Sequence, residues 1–185
     1  MLDNLFGSTA RAKIIKFFCT NDRKKFYVRE LAKLLDLKLN SLSRELIHLE
    51  RMGLLKVSLD KKRKYYEVDH TFPLYAELHA LIVKSIVLLE KVVSRELRAM
   101  RGMTVLLLTG IFVRQETSTD IVIAGTVDRK KIQHLIAALS GAFHQEIRFT
   151  IFSTAEYKYR LAVTDKFLST VLNSGPIIIL NKVGG

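Results

Sequence analysis

The sequence predicts a mixed α+β chain in three parts: a helical N-terminal domain closed by a basic hairpin, a long connecting helix, and a small α/β C-terminal domain. Three observations predict it. Apolar residues recur at helical spacing through residues 9–53, then alternate loosely on either side of a basic tip. From Pro73 to Arg101 a helical seam runs without a stop signal, and beyond Gly102 apolar strands ending in glycine alternate with amphipathic helices. The expected boundaries are therefore 1–72, 73–101 and 102–185.

Charge is unevenly spread. The 185 residues carry 30 Lys and Arg against 18 Asp and Glu, a formal net charge of +12, and the first seventy residues hold 16 of the basic and 9 of the acidic ones. A basic excess gathered in one small segment attracts polyanions and is the usual footprint of a nucleic-acid binder. An anionic membrane would be attracted too, but these charges are interleaved with a compact globular pattern rather than laid along a free amphipathic helix, so no membrane partner is expected.

Other chemistries fit poorly. The single cysteine, Cys19, allows no internal disulfide and reads as a small core residue, a redox switch being the other reading. The five histidines, at 48, 70, 79, 134 and 144, lack metal-ligand spacing, and no cofactor or metal is expected. MLDNLFGSTARAK has no continuous apolar run behind a basic start, and ALIVKSIVLLEKVV is broken by Lys84, Glu90 and Lys91. The expected location is cytoplasmic.

Taken in order, Ser8 precedes ARAKIIKFFCT, where Ala10, Ile14, Phe17 and Phe18 predict a helix over 9–20. Asn21 to Lys25 forms a polar turn. VRELAKLL follows as a short helix with Val28, Leu31, Leu34 and Leu35 inward. After the turn Asp36 to Leu39, NSLSRELIHLERMG is bounded by Asn40 as N-cap and Gly53 as C′ residue. Leu42, Leu46 and Leu49 share its buried side. Ser41, Arg44, His48 and Arg51 share the other, a face that taken by itself is usually just a solvated one. LLKVSL and KYYEVD then flank Asp60, Lys61, Lys62, Arg63 and Lys64. That is a hairpin with a basic tip, on which one of Tyr65 and Tyr66 faces the core.

The order helix, YVRELAKLLDL, NSLSRELIHLERMGLL and basic hairpin KKRKYYEV resembles the winged helix-turn-helix of ArsR- and MarR-like transcriptional regulators, over about residues 5–70. The resemblance implies that Ser41, Ser43, Arg44 and His48 approach base edges in a major groove of double-stranded DNA, with Arg51 on the same helix face. Lys61, Lys62, Arg63 and Lys64 then lie along phosphate or the minor groove. Arg44 can bond two guanine acceptors at once. Arg29, Ser41 and Ser43 start their helices where phosphate oxygens bind.

Pro73 to Arg101 predicts a helix of about 40 Å. Leu78, Ile82, Ile86, Leu89, Val93, Leu97 and Met100 form its seam, and Leu81, Leu88 and Val92 widen it. The helix serves as the spine of the next domain, as a homodimer interface, or as both.

The remaining segments are TVLLLTG, TDIVIAG, a helix from Val127 to Phe143 with Ile132, Leu135, Ile136 and Leu139 inward, and EIRFTIFS. A helix capped by Ser153 with Glu156, another opened by Asp165, and a closing strand IIIL complete them. Over about residues 80–182 this order is similar to the minimal nucleotidyltransferase domain. The active family has Gly-Ser after the first strand, Asp-x-Asp on the second and a carboxylate on the third, which together hold Mg²⁺ against phosphates. Here Gly110 is followed by Ile111, Asp120 matches the second Asp while Ser118 stands at the first, and Arg148 and Thr150 take the third-strand positions.

One carboxylate cannot assemble a two-metal site, so the domain is expected to be catalytically silent. Gly110, Arg114 and Asp120 are then a vestigial nucleotide site, open to a small anionic or nucleotide ligand, or the domain only packs and dimerises. The leading expectation is a DNA-binding regulator with a silent nucleotidyltransferase-like domain. The alternatives are an active nucleotidyltransferase targeted by its winged helix, and a winged helix that binds protein or structured RNA.

Overall fold

The computed structural model describes residues 2–61, 63–89, 93, 95–97 and 100–183. Among them the fold is mixed α+β with two small sheets. The chain divides into two compact units, 1–82 and 83–185, and the division falls inside the helix Tyr75–Leu89.

The first unit opens with a short helix absent from the sequence expectations, α1 (Leu2–Phe6), and continues with α2 (Thr9–Thr20). Ser8 starts α2 because its hydroxyl accepts from the Arg11 amide, satisfying one of the orphan donors of a first turn. α3 (Val28–Leu35) ends at Asp36, whose left-handed φ of 49° lets its amide reach the Ala32 carbonyl. Leu31 is fully buried, but Leu34 is 57% exposed, against expectation. At about 100° per residue Leu34 lies on the opposite side of Leu31 from Val28 and Leu35, and an eight-residue helix has room for one narrow stripe.

α4 (Leu39–Arg51) buries Leu42, Leu46 and Leu49 completely, as their spacing predicts. Its start differs. Lys38 is the N-cap and makes no side-chain cap bond, so Asn40 sits inside the first turn rather than before it. The far end is as expected: Gly53, with φ of 86°, takes the conformation that L side chains avoid, and its amide reaches the Glu50 carbonyl.

β1 (Phe26–Tyr27), β2 (Leu55–Asp60) and β3 (Arg63–Val68) form an antiparallel sheet in the order β1-β3-β2. Two residues are too few to show alternation, which is why Phe26 and Tyr27 carry no strand expectation from the sequence. The hairpin closes with Asp60 opposite Arg63, Tyr66 is buried and Tyr65 half-buried. This order of elements is compatible with a winged helix.

α5 (Tyr75–Leu89) buries Ile82, Val83, Ile86 and Val87, while Leu81, Leu88 and Leu89 are exposed. Val93 and 95–97 are helical as well, and Met100 is not. Val92 of the expected seam lies outside the described residues.

In the second unit, β4 (Met103–Leu108), β5 (Ile121–Gly125), β6 (Phe149–Phe152) and β7 (Ile177–Asn181) form one sheet in the order β6-β5-β4-β7. β4 is antiparallel to both neighbours; β5 and β6 are parallel and joined by a crossover containing α6 (Arg129–Phe143). Two further helices, α7 (Thr154–Ala162) and α8 (Lys166–Asn173), complete the unit. On one face Val105, Leu107, Val122, Ala124 and Phe152 cluster with Tyr157, Leu168 and Val171. The alternate residues Leu106, Leu108, Ile121 and Ile123 are equally buried, so both faces are covered. Local caps set the helix starts. Asp128, Ser153 and Asp165 each accept from an amide two or three residues on, and Asp128 places the start of α6 at Arg129 rather than Val127. Ile136 is half-buried while Ile132, Leu135 and Leu139 are buried.

Candidate nucleic-acid interface and the Asp120 site

α4 is pinned from beneath by a carboxylate that faces its buried side. Glu45 is 7% exposed, and its two oxygens accept from Ser8 Oγ at 3.0 Å and Arg11 Nε at 2.9 Å, both at the start of α2. Burial works to raise the Glu45 carboxyl, but these bonds and the nearby charges of Arg11 and His48 outweigh it and hold the group below the ordinary glutamate value. Sequence reasoning overlooked Glu45. The available signal was its place between Leu42, Leu46 and Leu49, where a charge requires a partner.

With that side occupied, Arg44, His48 and Arg51 are exposed along the outer face, next to half-buried Ser41 and Ser43. The uncapped first turn of α4 lines an open cleft of about 370 Å³ formed by Lys38, Leu39, Asn40, Ser41 and Arg44. A second open cleft, of about 360 Å³, lies between α3 and β3, lined by Tyr27, Val28, Arg29, Arg63 and Lys64. Lys61, at φ 44°, turns the hairpin tip. Lys62 lies outside the described residues. The expected set is thus distributed over the α4 face, the α3 start and the hairpin. Tyr27 joins it as a residue the sequence reading did not single out.

The Asp120 site is of a different kind. Asp120 is 1% exposed, just ahead of β5. Arg148 Nε and Nη2 donate to its two oxygens at 2.9 Å each, the Arg148 amide donates at 2.9 Å and the Ile111 amide at 3.1 Å. Burial alone would raise this carboxyl. The Arg148 side chain, the two amides and the guanidinium charge overcome it and keep the group ionised below the usual aspartate value.

Gly110 stands against this carboxylate. At φ 52°, a Cβ added to it would collide with Asp120 Oδ1 and come within 3.0 Å of Thr117 Oγ1. The glycine therefore makes room for Asp120 itself. Arg114 adopts φ 60° and is half-buried; the guanidinium that takes the Asp120 carboxylate belongs to Arg148. Ser118 is exposed. Among the described residues, no group of three or more His, Cys, Asp or Glu is arranged to hold a metal ion, and no helix is long and apolar enough to cross a membrane.

No family model and no curated protein matches this chain. A solved structure, reduced HlyU from Vibrio cholerae, is similar over 45% of this chain and 79% of its own, at 24% identity and a TM-score of 0.36.

Proposed function

We propose that this chain is a DNA-binding transcriptional regulator that reads duplex sequence through α4, works as a homodimer, and carries a second unit without catalytic activity. One observation carries the DNA reading: α4 is anchored on its inner side by three fully buried leucines and Glu45, while Arg44, His48 and Arg51 are exposed on its outer side, Arg44 lining the open cleft at the start of the helix. A rigid helix with cations and hydroxyls outward, beside a basic hairpin, suits major-groove entry with flanking phosphate contacts.

Selecting bound duplexes from a random pool tests this reading. The expected result is an enriched motif whose two half-sites are related by a two-fold axis and spaced by about one helical turn, roughly 10 base pairs. A pool that stays random after repeated rounds at low salt would sink it. Light scattering after size exclusion tests the homodimer, for which the exposed Leu81, Leu88 and Leu89 of α5 are the motivation.

The second unit, in this reading, is a nucleotidyltransferase-like domain that has lost catalysis. The engagement of Asp120 by Arg148 supports the silent reading, because a carboxylate already holding four donors has little left for a cation. Incubation with labelled ATP, GTP or CTP and Mg²⁺ is expected to transfer nothing to any acceptor. Titration calorimetry with a nucleotide panel decides whether the unit binds a small anion or only packs and pairs.

A further inference from the structure

The edge strand β1 and the central strand β3 of the first sheet bring two tyrosines and their cations together. Tyr27 of β1 is in register with Tyr65 of β3, their rings meeting edge to face at 5.9 Å. Arg63 lies over the Tyr27 ring at 5.4 Å and Lys25 over the Tyr65 ring at 5.2 Å. Tyr27 also precedes the first turn of α3 without a side-chain cap bond, in the cleft that Arg29, Arg63 and Lys64 line. The folding logic is plain: a two-residue strand places Tyr27 against the wing at the point where the next helix starts.

Long basic side chains on a surface ordinarily sample many rotamers, and fixing them on binding costs entropy. A cation stacked on an aromatic face is already ordered. We propose that this cleft is a phosphate clamp for one strand of duplex DNA, in which Tyr27 and Tyr65 are positioning residues that hold Arg63 and Lys25 ready for phosphate oxygens beside Arg29 and Lys64. The inference rests on the DNA-binding reading and extends it to two residues, Lys25 and Tyr65, that lie in neither α4 nor the hairpin tip. Charge complementarity selects the occupant. Three cations, Arg29, Arg63 and Lys64, line one open cleft, Lys25 stands over the Tyr65 ring that meets Tyr27, and the polyanion a helix-turn-helix would present to them is the phosphate backbone.

The clamp is tested with the full chain and a fluorescent 20-base-pair duplex of random sequence, by anisotropy across a salt series. Replacing Lys25→Gln with Arg63→Gln is expected to lower affinity and flatten the slope of log affinity against log salt by about 1.8, since each phosphate contact contributes about 0.9. Removing the same charge from exposed positions of the second unit, Lys158→Gln with Lys166→Gln, is expected to leave the slope in place. Tyr27→Leu, which changes no charge, is expected to weaken binding several-fold, and Tyr27→Phe, which keeps the ring, to restore it. Far-ultraviolet circular dichroism checks that each variant is folded.

Equal flattening by both charge pairs, an unchanged slope for Lys25→Gln with Arg63→Gln, or equal binding by Tyr27→Leu and wild type would overturn the clamp while leaving DNA binding intact. Failure of the wild type to bind any duplex at low salt would instead remove the functional reading on which the clamp stands.

Discussion

Arg148 meets Asp120 fork to fork: Nε donates to Oδ2 and Nη2 to Oδ1, each at 2.9 Å, across 28 residues of sequence. The arginine side chain is 54% exposed and the aspartate 1%, so the pair neutralises a carboxylate that burial would otherwise make costly. Arg148 stands at a position where the resemblance to nucleotidyltransferases implies a metal-binding carboxylate.

Arg148→Ala is expected to destabilise the protein by about 3 kcal/mol at neutral pH, because it strands a buried charge. In the wild type the folded Asp120 carboxyl titrates below its unfolded value of about 3.9. Its stabilisation is therefore present above that pH and is lost as pH falls through the folded value. In the variant, burial without the guanidinium moves the group upward, so the gap between variant and wild type narrows on acidification. Thermal melts at pH 7 and pH 4 measure both effects, and a gap independent of pH would contradict the assigned role.

Gly110→Ala is expected to cost about 1–3 kcal/mol, from a positive φ and from a Cβ driven into the Asp120 carboxylate. Combining it with Asp120→Ala, which empties that space, removes the collision and leaves the backbone strain. Denaturant titration of the single and double variants reads the coupling; strictly additive losses would show that Gly110 serves something other than Asp120.

Glu45→Gln keeps the shape of the side chain and an acceptor for Ser8 but loses the charge that Arg11 pairs with. The expected loss is about 1–3 kcal/mol at pH 7, and it shrinks as pH falls below about 4.3, where glutamate of the unfolded chain takes up its proton while the folded group still resists it. Urea melts at pH 7 and pH 3.5 are the check. Because this carboxylate fixes α4 on α2, DNA affinity is expected to fall along with stability.

Arg44→Ala leaves the fold unchanged, since the side chain is exposed. It is expected to weaken binding to the selected duplex by about 1–3 kcal/mol and to relax base preference at one position. Equal losses on selected and random duplex would reassign Arg44 to the backbone.

Cys19 is buried, and burial together with the charge of Asp22 pushes its thiol up to about 12. Ellman's reagent at pH 8 is expected to modify it only as fast as the protein unfolds, with full reaction in denaturant.

Much of this molecule is written in short-range pattern. Ser8, Gly53, Ser153 and Asp165 each act on an amide or carbonyl within three residues, so the ends they set are legible without any fold. Leu42, Leu46 and Leu49 declare a buried side by spacing alone, and the cations opposite them become an outward face by the same geometry. Asn40 misled because its side chain suits an N-cap, whereas α4 begins after Lys38 without a side-chain cap, its first turn lining an open cleft.

Packing decided the rest. Glu45 finds Ser8 and Arg11 from 37 and 34 residues away, Asp120 finds Arg148 from 28, and Tyr27 becomes a strand residue because β3 arrives beside it. No periodicity encodes such meetings, since they follow from which surfaces bury one another. What the sequence by itself determined is therefore the course of the longer helices and strands, though neither α1 nor β1, and which helix turns its charge outward. The tertiary structure alone decided which carboxylates are occupied, and so which polar residues stay free for a partner, because a buried charge takes whatever donor the fold delivers to it.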